Sequence, residues 1–188
     1  LYIHNMGHYL CGLLAELAGH DLLWQGIAEP DIRFVTRAAM IESAMALGEH
    51  FDRPIAPLVE HVDDLLHRFD NEHLGDSVSR VVRDPRRKMA ADDRVIGAFS
   101  AGVQAGTPTR YLSLVVAAGA LAMEVAEGWN PDETRHYLRD VAEQSGVPWR
   151  NEHWQLLDAQ LDSLRKHGFD FARQTQLIGD QFDPSLIP

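Results

Sequence analysis

Two stretches of this sequence carry side chains suited to act on a small polar molecule. In the first, Asn5, Met6, Gly7 and His8 follow one another near the start of a segment with periodic apolar residues. Asn5 and His8 are three apart, so on a helix they share a face, and Gly7 between them leaves the backbone open to close approach. An amide and an imidazole so placed can hold a hydroxyl that is becoming a carbonyl. They stabilise partial negative charge on its oxygen near the positive end of the helix dipole. The same residues also read as an N-terminal cap followed by a buried, hydrogen-bonded histidine.

The second stretch runs from Arg80 to Arg94 and holds six basic residues, Arg80, Arg83, Arg86, Arg87, Lys88 and Arg94, against Asp84, Asp92 and Asp93. It nets +3 in a chain whose formal charge is −11, which leaves −14 on the remainder. Asp84-Pro85 breaks the helical pattern inside it, because proline pushes the residue before it out of the helical region. Basic groups on an irregular segment can converge on a phosphate or carboxylate, arginine binding in two-point fashion and lysine as a point charge. The plainer reading is a solvated face with local ion pairs, Arg83 with Asp84 and Arg94 with Asp93, each worth little.

Other chemistries find less support. His4 and His8 lie one helical turn apart, and HNMGH has the outline of a helical zinc-hydrolase motif with Asn5 where the glutamate base would stand. An amide cannot take a proton from metal-bound water and spacing marks no third ligand, so no metal is assigned. The other histidines (20, 50, 61, 67, 73, 136, 153, 167) are scattered. Gly102 and Gly106 lack the third glycine and the preceding strand of a dinucleotide cradle. GVQAGTPT lacks the lysine of a phosphate loop, and no Gly-x-Ser-x-Gly elbow is present.

The elements that must position these groups are helices. Ile3, Met6, Leu10, Leu13, Leu14 and Leu17 repeat at three-or-four spacing up to Gly19. Pro30 opens a second helix that closes before Pro54, and Ile55 to Phe69 forms a third ending near Asn71. A short helix is expected around Leu74 to Val82, and another on Val95, Ile96, Phe99 and Val103. Tyr111 to Val125 is apolar on most sides, which predicts a central helix enclosed by the others. Asn130-Pro131-Asp132 and Val147-Pro148-Trp149 start two more, the second stopping at Gly168, and the chain after Phe169 shows no firm pattern. Without a period-two strand, hairpin dipeptide or repeat, residues 1–188 read as one all-α domain.

Composition narrows the partners. The 188 residues are 45% hydrophobic and 24% charged, enough for one sizeable core. The net charge argues against nucleic acid and anionic membranes, and no apolar run approaches the ~20 residues that span a bilayer. The single cysteine, Cys11, allows neither an intrachain disulfide framework nor a thiolate zinc site, and a cytoplasmic setting is expected. The chain opens on LYIHNMGH without a methionine and is expected to be a fragment.

Both chemical stretches belong to one set of motifs. IHNMGH at 3–8, Arg68-Phe69-Asp70-Asn71, Leu74-Gly75-Asp76, RVVRDPRRKM at 80–89 and Asp92-Asp93-Arg94 resemble, in that order, the C-terminal domain of the mannitol dehydrogenase family, most closely its mannitol-1-phosphate branch. The resemblance covers about half the chain. Beyond about residue 125 the likeness is only that of helices. It implies a helical substrate domain of the kind found in 6-phosphogluconate dehydrogenase-type enzymes, preceded by a dinucleotide-binding domain absent from this chain. It also implies oxidation of a polyol or polyol phosphate with NAD and no metal.

By position, the resemblance implies that Asn5 and His8 polarise the reacting oxygen. The family's general base, a lysine five residues before that asparagine, would fall immediately before Leu1, so this piece alone is expected to be inactive. Arg87 and Lys88, with Arg83 beside them, match the region that holds the substrate's far end, where a phosphate would sit. Reduction of keto-uronates, oxidation of unphosphorylated polyols, and a non-catalytic helical interaction module stay open as alternatives.

Overall fold

The computed structural model describes residues 1–179, and among them there are eleven α-helices and no strand. The helices are α1 (His4–Leu17), α2 (Leu23–Ala28), α3 (Pro30–Phe51), α4 (Ala56–Phe69), α5 (Val78–Val82), α6 (Pro85–Lys88), α7 (Ile96–Ala105), α8 (Arg110–Glu127), α9 (Pro131–Gln144), α10 (Asn151–His167) and α11 (Phe171–Ile178). None of the helices among the described residues is long and apolar enough to cross a membrane.

The long periodic segments fold where their spacing puts them. α8 is the central helix: Tyr111 to Ala120 and Met123 are buried, and α1, α3, α6, α7, α9 and α10 pack against it. Its start is held from α3. Glu42 is fully buried and its carboxylate accepts hydrogen bonds from the backbone N–H groups of Arg110 (3.0 Å), Tyr111 (2.9 Å) and Leu112 (2.8 Å). These donors have no partner inside their own helix, so a carboxylate there satisfies them and complements the helix dipole. At α9, Asn130 accepts from Asp132 N and Glu133 N while Glu133 returns a bond to Asn130 N, a complete capping box.

Departures from the sequence reading are confined to short elements. The helix expected over Leu74 to Val82 is a 3-10 turn at Glu72–Leu74 followed by α5, because Gly75 adopts a left-handed conformation (φ +59°) and Ser77 then caps a new helix. α2 was not foreseen, since six residues are too few to display a period. The segment after Asp84 is not irregular: Asp84 takes a left-handed conformation (φ +68°) and α6 starts at once on Pro85. The last proline-led helix begins at Asn151, a little after Val147-Pro148-Trp149.

Candidate functional site

α1 delivers the first candidate group. Its N-cap is Ile3, with no side-chain cap, so Asn5 sits inside the first turn and does not serve as the cap that one sequence reading allowed. The Asn5 side chain is half-buried and makes no hydrogen bond to a described residue. One turn on, the His8 ring is held on several sides. Phe69 meets it edge-on with centroids 5.2 Å apart, His4 lies 5.9 Å away, and Nε2 is 3.1 Å from Asp76 Oδ2.

Asp76 reaches His8 across 68 residues because its backbone is tied to the α1–α2 turn. Leu23 N donates to Asp76 O (2.9 Å), Val78 N donates to Asp21 O (2.9 Å), and Leu22 and Ser77 form an antiparallel bridge. Asp76 Oδ1 also accepts from Arg80, one turn ahead on α5. The carboxylate alone would favour an imidazolium, but burial first, then Arg80, Arg94 and Lys88, outweigh it and hold the His8 pKa at about 4. With that pKa the His8 ring is neutral at neutral pH, and its Nε2 lies within hydrogen-bond distance of the Asp76 carboxylate.

α5 lies against α1 because Gly12 has no side chain there: a Cβ on it would stand 2.5 Å from Val81 Cγ1. That approach opens a cleft of about 240 Å³ lined by His8, Arg80, Val81, Arg83, Asp84, Arg87, Lys88 and Arg94. The histidine of the first motif and the cations of the second therefore face one hollow, whereas Asn5 is not among its lining residues. Larger hollows of about 580 and 640 Å³ lie elsewhere and contain no part of this constellation beyond Arg83 and Asp84.

The cations differ in how far they are already engaged. Arg83 is exposed and its guanidinium pairs with no described residue. The expected Arg83–Asp84 pair does not form, because Asp84 instead meets Arg87 at 3.4 Å. Arg87 is exposed and reaches Asp93 only at 3.8 Å, contacts that an incoming anion can displace at small cost. Arg94 pairs with Asp93 at 2.9 Å, as read from the sequence, and is nearly buried.

Lys88 is 5% exposed, and its ammonium donates to the carbonyls of Val81 (3.0 Å) and Arg83 while lying 5.0 Å from the Tyr9 ring centroid. Burial, then Arg94 and Arg87, lower its pKa to about 8. It thus ties α6 to the end of α5 and adds charge at the cleft floor. The sequence assigned no site role to Asp76 or to the cleft-facing Arg80 and Arg94. Arg80 and Arg94 were visible in the basic run, whereas no local spacing links Asp76 to His8. Among the described residues no group of three or more His, Cys, Asp or Glu side chains is arranged as a metal site.

The family model described as "Mannitol dehydrogenase C-terminal domain" matches residues 1–144. The chain belongs to this mannitol dehydrogenase family. The match extends through α9, farther than the half of the chain that the motifs covered, and every residue lining the cleft falls inside it. A mannitol-1-phosphate 5-dehydrogenase of Caldanaerobacter subterraneus subsp. tengcongensis is 27% identical over 147 residues, covering 78% of this chain. The aligned part is 37% of that relative's length, so the chain corresponds to well under half of it.

Proposed function

We propose that this chain supplies the substrate-holding side of an NAD-dependent polyol-phosphate dehydrogenase that interconverts mannitol 1-phosphate and fructose 6-phosphate. The observation that carries this reading is the shared cleft, whose lining brings His8 together with Arg83, Arg87 and Lys88. The name of the relative, mannitol-1-phosphate 5-dehydrogenase, supports the same substrate class. NAD, the hydride acceptor this reading calls for, finds no seat among the described residues. Among the described residues no strand, glycine-rich turn and helix follow one another, so none of them fits a dinucleotide pyrophosphate.

Within the chain the work divides by distance from the reacting carbon. Asn5 and His8 hold the C–O group, the amide stabilising negative charge that develops on oxygen at the start of α1. Arg83 and Arg87 grip the phosphate through charge-assisted hydrogen bonds, each worth about 1.5–3 kcal/mol. Lys88 fixes the α5–α6 bend from which both arginines project. The base that takes the hydroxyl proton lies outside residues 1–188, at the position the family resemblance implies, immediately before Leu1.

The test is turnover by the complete protein. Fructose 6-phosphate with NADH is expected to be reduced far better than fructose, tagaturonate or fructuronate. Equal or better activity on the keto-uronates would reassign the arginines to a carboxylate, and activity on fructose alone would remove the anion altogether.

A further inference from the structure

We propose that Asp76 is the positioning residue of His8: its carboxylate holds the ring by Nε2–H and so leaves Nδ1 as the bare, accepting nitrogen. The inference deepens the proposed function and rests on that reading only for its catalytic consequence. It starts from the 3.1 Å contact between Nε2 and Asp76 Oδ2. An ionised carboxylate accepts only, and a neutral imidazole carries one N–H, so a hydrogen bond between them puts the proton on Nε2 and strips it from Nδ1.

The surroundings make Asp76 a fixed reference for the ring. Its backbone is held by Leu23 N, and its neighbours Ser77 and Val78 bridge to Leu22 and Asp21. Its second oxygen is taken by Arg80, which leaves Oδ2 aimed at His8. On the ring side, Phe69 at 5.2 Å and His4 at 5.9 Å restrict rotation about the Cβ–Cγ bond. Two elements distant in sequence thus clamp one imidazole. Groups that orient a working histidine in this way set which nitrogen faces the substrate.

The consequence is chemical. Asn5 can present an amide N–H donor, and His8 with a bare Nδ1 presents an acceptor. The reacting hydroxyl gives its one proton to the base and accepts from the Asn5 amide, so Nδ1 is left to accept from a neighbouring hydroxyl of the polyol. With the opposite tautomer Nδ1–H would donate, and that neighbouring hydroxyl would lose its acceptor. Asp76 therefore fixes how the polyol is held beside the reacting carbon.

The experiment uses the complete protein labelled with ¹⁵N-histidine, with His8 assigned by the signal lost in His8→Gln. Two-bond ¹⁵N–¹H correlations distinguish a protonated ring nitrogen from a bare one. The wild type is expected to show Nε2 protonated and Nδ1 bare, and Asp76→Ala to show a mixture of tautomers. In Asp76→Ala kcat should fall by about 10–100-fold, the range seen when a residue orienting a ligating histidine is lost. KM should change less, and Asp76→Glu should restore part of kcat.

A wild-type ring protonated on Nδ1 overturns the inference, and this arm needs no variant to fold. An unchanged tautomer in folded Asp76→Ala overturns it too, as does an unchanged kcat beside a shifted tautomer. If the tautomers behave as expected but the wild type turns over no polyol, the assignment of Asp76 stands and the proposed function falls.

Discussion

Gly12 on α1 and Val81 on α5 touch so closely that any side chain at position 12 would collide, with a Cβ 2.5 Å from Val81 Cγ1. The contact bears on how far His8, one turn earlier on α1, stands from Arg80, next to Val81, and from Arg83, two residues beyond it. The width of the cleft is therefore decided by one missing methyl group.

Gly12→Ala is expected to push α5 away from α1. Overpacking of this kind costs about 1–3 kcal/mol, read as a lower urea midpoint, and here it also carries the cations away from the histidine. KM for the sugar phosphate should rise in the variant, and an unchanged KM would show that α5 does not set the cleft.

Arg83→Ala and Arg87→Ala are expected to raise KM for a phosphorylated substrate and to leave KM for the neutral sugar nearly unchanged. Loss of a charge-assisted bond of about 1.5–3 kcal/mol corresponds to roughly 10–150-fold in kcat/KM. Arg83, which pairs with no described residue, should show the larger effect, because Arg87 must first leave Asp84 and Asp93.

Lys88 gives the cleft a pH dependence. Its pKa is lowered to about 8, so cleft charge falls as pH rises through that value and anion affinity falls with it. Sulfate, whose own charge is constant in this range, should inhibit competitively with an inhibition constant that rises above pH 8 and levels off beyond it. Lys88→Met should bind sulfate more weakly and lose the break. The sign for stability is opposite. Between about 8 and the unfolded value of 10.5 the unfolded chain binds the extra proton, so stability rises with pH over that window.

Glu42 works in the reverse sense. Burial pushes its carboxyl up to about 7 against the pull of the backbone N–H groups of Leu112, Tyr111 and Arg110. Its pKa is higher folded than the ordinary 4.5, so the native state keeps the proton more readily and this group's contribution to stability declines as pH rises from about 4.5 to 7. Glu42→Ala should remove that slope from urea midpoints measured between pH 5 and 8. It should also lower stability by about 2–5 kcal/mol, because three N–H groups at the start of α8 lose their acceptor.

The long helices were legible because burial of one face imposes a 3.6-residue repeat on sequence, and α1, α3, α4 and α8 each run long enough to show it. Pro30, Asn130-Pro131 and Gly168 marked the start of α3, the start of α9 and the end of α10 by local backbone chemistry alone. α2 and α6 were not legible, since one or two turns contain too few residues for a period. The Arg94–Asp93 pair could be read from adjacency, while the equally adjacent Arg83 and Asp84 do not pair, because the left-handed turn at Asp84 brings its carboxylate to Arg87.

What the sequence determined by itself is therefore whatever depends on near neighbours: the helical class, the concentration of positive charge in residues 80–94, and the ordered motifs that mark the family. Tertiary structure decided everything that joins distant residues. It brought His8 to the arginines by way of Gly12 and Val81, chose Asp76 as the partner of that histidine, and turned the Lys88 ammonium inward to two carbonyls. The physical reason is that hydrophobic periodicity encodes which face of each helix is buried but not which helix covers it. That pairing emerges only when side-chain shapes and the hydrogen-bonding needs of the connecting turns are satisfied together.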